Sequence, residues 1–153
     1  MKAAYLKDFT EMEQKYVALA EAFPADKYGW RPMEGVRSVS QVLGLVAGEN
    51  YLDVAPAFGG KTPAEVGTGE AARAKLEALT DKTALVKHVR ESFALARRAI
   101  TAWSGSAEAP FNVWGVSQPL VAATMMVMAD QHEHLGQLIA YARMNKIVPP
   151  WSR

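Results

Sequence analysis

The run from Asp130 to Pro150, DQHEHLGQLIAYARMNKIVPP, crowds acid, imidazole and amide groups onto one segment, and any chemistry in this chain starts there. At about 100° per residue, Asp130, His134, Gln137 and Tyr141 fall within roughly 60° of one another on a helical wheel and form a polar seam. Leu120, Val127, Met128, Leu135, Leu138 and Ile139 fill the neighbouring arc, so the seam borders the core rather than open solvent. A carboxyl group and an imidazole four residues apart can reach one ion from adjacent turns. The same spacing equally lets His134 donate to Asp130 or to a backbone carbonyl and satisfy itself at the edge of a packed interior. His132 stands roughly 160° from His134, so it cannot share an ion with it and reads as a surface residue. No serine, cysteine or lysine is placed by motif to join Asp130 and His134 as a nucleophile.

Helices must position this seam. The first amphipathic helix is expected from Lys2 to Phe23, with Phe9, Met12, Tyr16, Leu19 and Phe23 as its inward stripe and Pro24 as its stop. A connector, Pro24 to Arg37, precedes a second helix capped by Ser38 with Gln41 as capping-box partner. Val39, Val42, Val46 and Asn50 point inward on that helix, which should stop near Pro56. The glycine-rich segment Phe58 to Gly69 reads as the most mobile piece, with one helical turn expected after Thr62. Glu70 to Leu79 reads as a short helix and Asp81 to Trp103 as the third long one, with Leu85, Val89, Phe93, Ala96 and Ile100 on its apolar face. His88 falls off that stripe and reads as solvent-exposed. Residues Ser104 to Gln118 read as a polar and aromatic loop, and Pro119 suits the first turn of the last helix, which Asn145 ends in a left-handed conformation. No alternating strand pattern, internal repeat or phosphate-binding glycine loop is present. The fold class is therefore all-α: four long helices with a short extra helix between the second and third, and no significant sheet.

Composition narrows the function classes. At 153 residues, half of them hydrophobic, the chain has room for one domain spanning 1–153. Seventeen basic against 16 acidic residues, a net charge of +1, give no electrostatic reason to expect a nucleic acid or an anionic membrane as partner. With no cysteine there is no disulfide, thiolate ligand or cysteine nucleophile. The N-terminus turns acidic too early for a signal peptide, and the longest apolar-rich stretch, Val116 to Ala129, is too short to span a bilayer, so a cytoplasmic protein is expected. Met125, Met126 and Met128 suit either an interface or a forgiving core.

Trp30, Arg31 and Pro32, then GVRSV at Gly35 to Val39, AGENYL at Ala47 to Leu52, GQL at Gly136 to Leu138, YAR at Tyr141 to Arg143 and IVPP at Ile147 to Pro150 together resemble the DinB family. This family shares a superfamily with the mycothiol-dependent maleylpyruvate isomerases. The likeness spans nearly the whole chain and implies a four-helix bundle of up-down-down-up order, with many relatives forming homodimers. It also implies three histidines around a divalent metal, one from the second helix and two, spaced HxxxH, from the last. Alignment of RSVSQVLGLVA puts Leu45 where the second-helix histidine belongs and Asp130 at the first histidine of HxxxH, and only His134 survives. The family also has glycine where this chain has Lys146, which implies a strained or shifted helix end.

Glu49 lies one turn after Leu45, within roughly 40° on the wheel, and Asp53 one turn further. A Glu49, Asp130 and His134 set would offer one nitrogen and at least two oxygens, which suits zinc, manganese or iron better than nickel. The sequence thus points to a degenerate metal site in a bundle that binds a small molecule or a protein, with a divalent metal held weakly or not at all. Pocket walls are expected from Leu45, Gln137, Tyr141, Trp30 and Trp114, with Tyr51 and Trp103 as further aromatic candidates. The alternative is a divalent-metal-dependent thiol transferase or hydrolase using Glu49, Asp130 and His134, with Gln137 or Tyr141 orienting substrate. A structural dimer without ligand is the third reading.

Overall fold

The computed structural model describes residues 2–152. The chain is mostly helical, with helices α1 (Lys2–Ala22), α2 (Val39–Glu49), α3 (Ala55–Ala57), α4 (Gly69–Glu77), α5 (Lys82–Ala102) and α6 (Leu120–Met144). The inward stripes are those the periodicity marks: Phe9, Met12, Tyr16, Leu19 and Phe23 from α1 meet Leu85, Val89, Phe93, Ala96 and Ile100 from α5, all essentially inaccessible to solvent. Phe93 is the hub, its ring 5.0 Å from that of Phe9 and 5.5 Å from that of Tyr16. Helix α6 adds Leu120, Val127, Leu135 and Leu138. Among the described residues no helix is long and apolar enough to cross a membrane.

Local signals set the helix starts. Ser38 Oγ accepts from the Gln41 N–H at 3.3 Å while Gln41 Oε1 accepts from the Ser38 N–H at 2.9 Å, a full capping box. Asp81 caps α5 by accepting from the Ala84 N–H at 2.8 Å. The second helix stops near Pro56 as expected: it widens into a π turn over Asn50–Val54, which runs into α3 and ends at Ala57 with Phe58 as the cap. After Pro63 the chain makes a single turn closed by the Val66 N–H on the Pro63 carbonyl, not a helix.

Two further expectations are corrected. Most of the expected Ser104 to Gln118 loop after Ala109, together with Pro119, which precedes rather than opens α6, forms an antiparallel hairpin, β1 (Pro110–Val113) with β2 (Val116–Pro119), joined by Trp114 and Gly115. Both turn residues have positive φ, +52° and +82°, the pattern of a type I′ turn. Its usual signature, asparagine or aspartate before glycine, is absent because tryptophan takes that place. At the end of α6 the left-handed residue is Lys146, at φ +59°, whereas Asn145 stays at φ −92°. The chain thus keeps the left-handed step where the resemblance expects glycine, with a lysine carrying the strain.

Helix α4 lies across α2, and small residues make room for it. A Cβ on Gly44 would sit 2.3 Å from the Leu76 carbonyl oxygen, and one on Gly48 would meet only the Leu76 side chain at 3.7 Å. We therefore expect Gly44→Ala to destabilise the protein by about 2 kcal/mol or more, because backbone rather than a flexible side chain must move. Gly48→Ala should be neutral or stabilising by up to about 1 kcal/mol, from helix propensity alone. Urea unfolding of the two variants separates these outcomes, and equal behaviour would refute the close α2–α4 contact.

Candidate functional site

The polar seam of α6 is a continuous hydrogen-bonded chain. Tyr141 donates its phenol proton to the Arg37 carbonyl at 2.9 Å, so its oxygen accepts from Gln137 Nε2 at 2.7 Å. That orientation turns Gln137 Oε1 toward His134 Nδ1, 2.9 Å away. An amide oxygen only accepts, so Nδ1 carries the proton and, in the neutral ring, the lone pair lies on Nε2. Nε2 faces Asp130 Oδ2 at 3.3 Å. Trp30 packs edge-on against Tyr141, ring centroids 5.2 Å apart, and supports the far end of the chain.

Asp130 and His134 open into a cleft of about 480 Å³ that is also lined by Leu45, Glu49 and Trp114. Leu45 is only half-buried and lies on the cleft wall rather than in the core. A neighbouring cleft of about 610 Å³ takes in His134 and Gln137 from the other side. The ion pair of Arg37 with Glu77, at 3.2 Å, stands between the two. Tyr51 packs in a separate small cluster with Val66 and Leu76, and Trp103 stacks edge-on against Phe58, so neither borders the cleft. His132 is exposed and pairs with Asp8 at 2.8 Å. His88 is not exposed as expected: it is half-buried edge-on against Tyr51, with Nδ1 buried and unpartnered, and burial lowers its pKa.

Glu49 is the unusual group. It is 2% exposed, its Oε2 has no hydrogen-bond partner, and burial, then a side-chain hydrogen bond with Asp130 and the charges of Asp130 and Asp53, push its pKa up to about 10. Gln131 alone pulls the other way. Glu49 is therefore a neutral acid at pH 7. Asp53, one turn on, is held differently: its Oδ1 accepts from Arg73 Nη2 at 2.6 Å in a mostly buried ion pair.

Sequence reasoning missed Arg37, Glu70, Arg73 and Glu77, which line the cleft with the expected residues. Glu70, Arg73 and Glu77 are spaced i, i+3, i+7, so their common face of α4 was readable. What that face covers depends on the approach at Gly44, which no pattern in α4 announces.

A mainly helical fold with a polar cleft between the second and last long helices defines a helical-domain class. The chain belongs to the DinB superfamily, whose family model matches residues 8–138. A comparison with curated proteins finds no match. The resemblance implies a metal held by three histidines, and the residues here do not supply that set: Leu45 has no donor atom, and Asp130 is turned onto His134 itself, 3.3 Å from its Nε2. Among the described residues no three His, Cys, Asp or Glu side chains converge in an arrangement that could hold a metal ion.

The raised Glu49 pKa has a stability consequence with a definite sign. Between the unfolded carboxyl value near 4.5 and the folded value of about 10, the folded protein holds a proton that the unfolded chain has lost. Stability should therefore fall as pH rises through that window, by at most about 1.4 kcal/mol per pH unit. Glu49→Gln, which mimics the neutral acid, should flatten this slope and raise Tm at pH 8 more than at pH 5. Thermal melts across pH check this; an unchanged slope would show that Glu49 is ionised in the folded state.

Proposed function

We propose that this DinB-superfamily chain is a single-domain bundle of up-down-down-up order that binds a small molecule in the cleft between α2 and α6, where the superfamily's metal site has degenerated. The observation that carries the reading is Leu45, an isobutyl group on the cleft wall beside Glu49, Asp130 and His134. An apolar side chain at a ligand position removes a donor and adds a surface suited to carbon. The cleft volume, about 480 Å³, lies in the range of small-molecule sites. A small molecule therefore suits the cleft better than a protein partner does.

One observation favours a second reading, a divalent-metal-dependent thiol transferase or hydrolase using Glu49, Asp130 and His134. The chain from the Arg37 carbonyl through Tyr141 and Gln137 fixes the His134 proton on Nδ1 and presents Nε2, the arrangement in which outer groups hold a ligating imidazole. On this reading Gln137 and Tyr141 orient the imidazole rather than a substrate.

Calorimetric titration of zinc, nickel and manganese into the wild type, His134→Ala and Leu45→His separates the two. We expect weak or no binding by the wild type and a gain of at least roughly tenfold in Leu45→His, since even an outer-shell change moves affinity by about 10- to 100-fold. Tight wild-type binding that His134→Ala abolishes would overturn the degenerate-site reading and establish the second.

A further inference from the structure

Trp114 is placed at a cost. Its φ of +52° puts a bulky side chain in the left-handed region, where the first residue of a two-residue hairpin turn is ordinarily asparagine, aspartate or glycine. The turn itself does not need the indole: the Asn112 carboxamide oxygen already pins it by accepting from the Gly115 N–H at 3.1 Å. Nor does the core need it. Trp30 and Trp103 pack against the hydrophobic cluster, whereas Trp114 does not, and it is 45% exposed while lining the cleft above Leu45, Glu49 and Asp130. An aromatic face held open over a polar cleft is a platform for a ligand.

The charges around it select the ligand's sign. Both arginines on the cleft wall are paired with acids, Arg37 with Glu77 at 3.2 Å and Arg73 with Asp53 at 2.6 Å, so their charge is offset within the protein. Glu70 has no ion-pair partner among the described residues, and Asp130 Oδ2 lies 3.3 Å from His134 Nε2. Glu49 Oε2 is buried in the same wall with nothing donating to it. That acceptor calls for an N–H donor, while Leu45 offers an apolar surface beside it. A neutral apolar ligand would leave Glu49 Oε2 unpartnered, and a carboxylate or phosphate would meet the carboxylates of Asp130 and Glu70.

We infer that the cleft beneath Trp114 binds a primary ammonium group on a short hydrocarbon stem, with the indole as cation–π platform, Glu49 and Asp130 as acceptors and Leu45 against the methylenes. The inference rests on the proposed reading of this cleft as a small-molecule site and names the ligand class. The ammonium can be that of a free amine or of a lysine side chain on another protein, and the probes below distinguish them.

The test is a titration of isotope-labelled protein, followed by backbone amide NMR, with butylammonium, Nα-acetyl-lysine amide, butyrate and 1-butanol. We expect saturable shifts near Glu49, Trp114 and Asp130 from the first two probes only, and the tighter of them identifies the source. Trp114→Ala should weaken that binding roughly fivefold, the scale of an exposed cation–π contact. Trp114→Asn should weaken it equally and raise Tm, since asparagine tolerates the left-handed turn; a merely structural tryptophan would lower Tm on replacement. Saturation by butyrate or butanol with the amines silent would overturn the ammonium assignment and leave the small-molecule reading standing. Silence of all probes on the folded protein, or amine binding indifferent to Trp114→Ala, would overturn the inference, whereas the metal titration fails or succeeds independently of it.

Discussion

A buried polar layer sets the register of this molecule. Tyr16 from α1, Asn50 from the π turn, Ser92 from α5 and Gln131 from α6 are each 0–1% exposed. Gln131 Nε2 donates to Asn50 Oδ1 at 2.9 Å, Asn50 Nδ2 to Ser92 Oγ at 3.5 Å, and Tyr16 to the Gln131 carbonyl. Burial holds the Tyr16 phenol protonated, its pKa raised well above the ordinary value, so it stays a donor. Each such bond left unmade in the core costs about 1–3 kcal/mol, against a total stability of about 5–15 kcal/mol for a typical domain. Apolar contacts between Leu and Val tolerate repacking far better than that. The polar layer, not the apolar stripes, therefore fixes how the helices slide past one another.

The cleft inherits its geometry from this layer. Asn50 follows Glu49 and Gln131 follows Asp130, so the bond between Asn50 and Gln131 brings the two acids together from different helices. Their proximity, added to burial, keeps Glu49 neutral. From Asp130 the order passes outward through His134, Gln137 and Tyr141 to the Arg37 carbonyl, and from His134 Nδ1 onward each group's donor or acceptor role is forced by the next. A single backbone carbonyl thereby decides which nitrogen of His134 carries the proton.

Strain and close approach complete the site. Gly44 lets α4 come near enough to lay Glu70, Arg73 and Glu77 along the cleft, and the ion pairs of Arg73 and Arg37 with acids of other segments neutralise the cations that come with them. The hairpin contributes Trp114 from the opposite side at the expense of an unfavourable backbone conformation. Acidic, apolar and aromatic surfaces are thus drawn from four separate stretches of chain, and none makes a site alone.

The sequence by itself determined the helices and their buried faces, because a period near 3.6 leaves no other way to hide Phe9, Tyr16, Val89 or Phe93. It also determined the seam of Asp130, His134, Gln137 and Tyr141, since a single helix fixes the relative angles of its own residues. The superfamily was legible in short motifs scattered over the chain. Tertiary structure alone decided the rest. Which proton His134 carries depends on Arg37, a residue 97 positions away in sequence. That Glu49 is neutral depends on burial and on Asp130, and that α4 walls the cleft depends on Gly44. The hairpin stayed hidden because Trp114 replaces the residue that ordinarily announces its turn. Periodicity encodes what one element does with its own faces; the pairing of groups between elements depends on packing distances that no single segment contains.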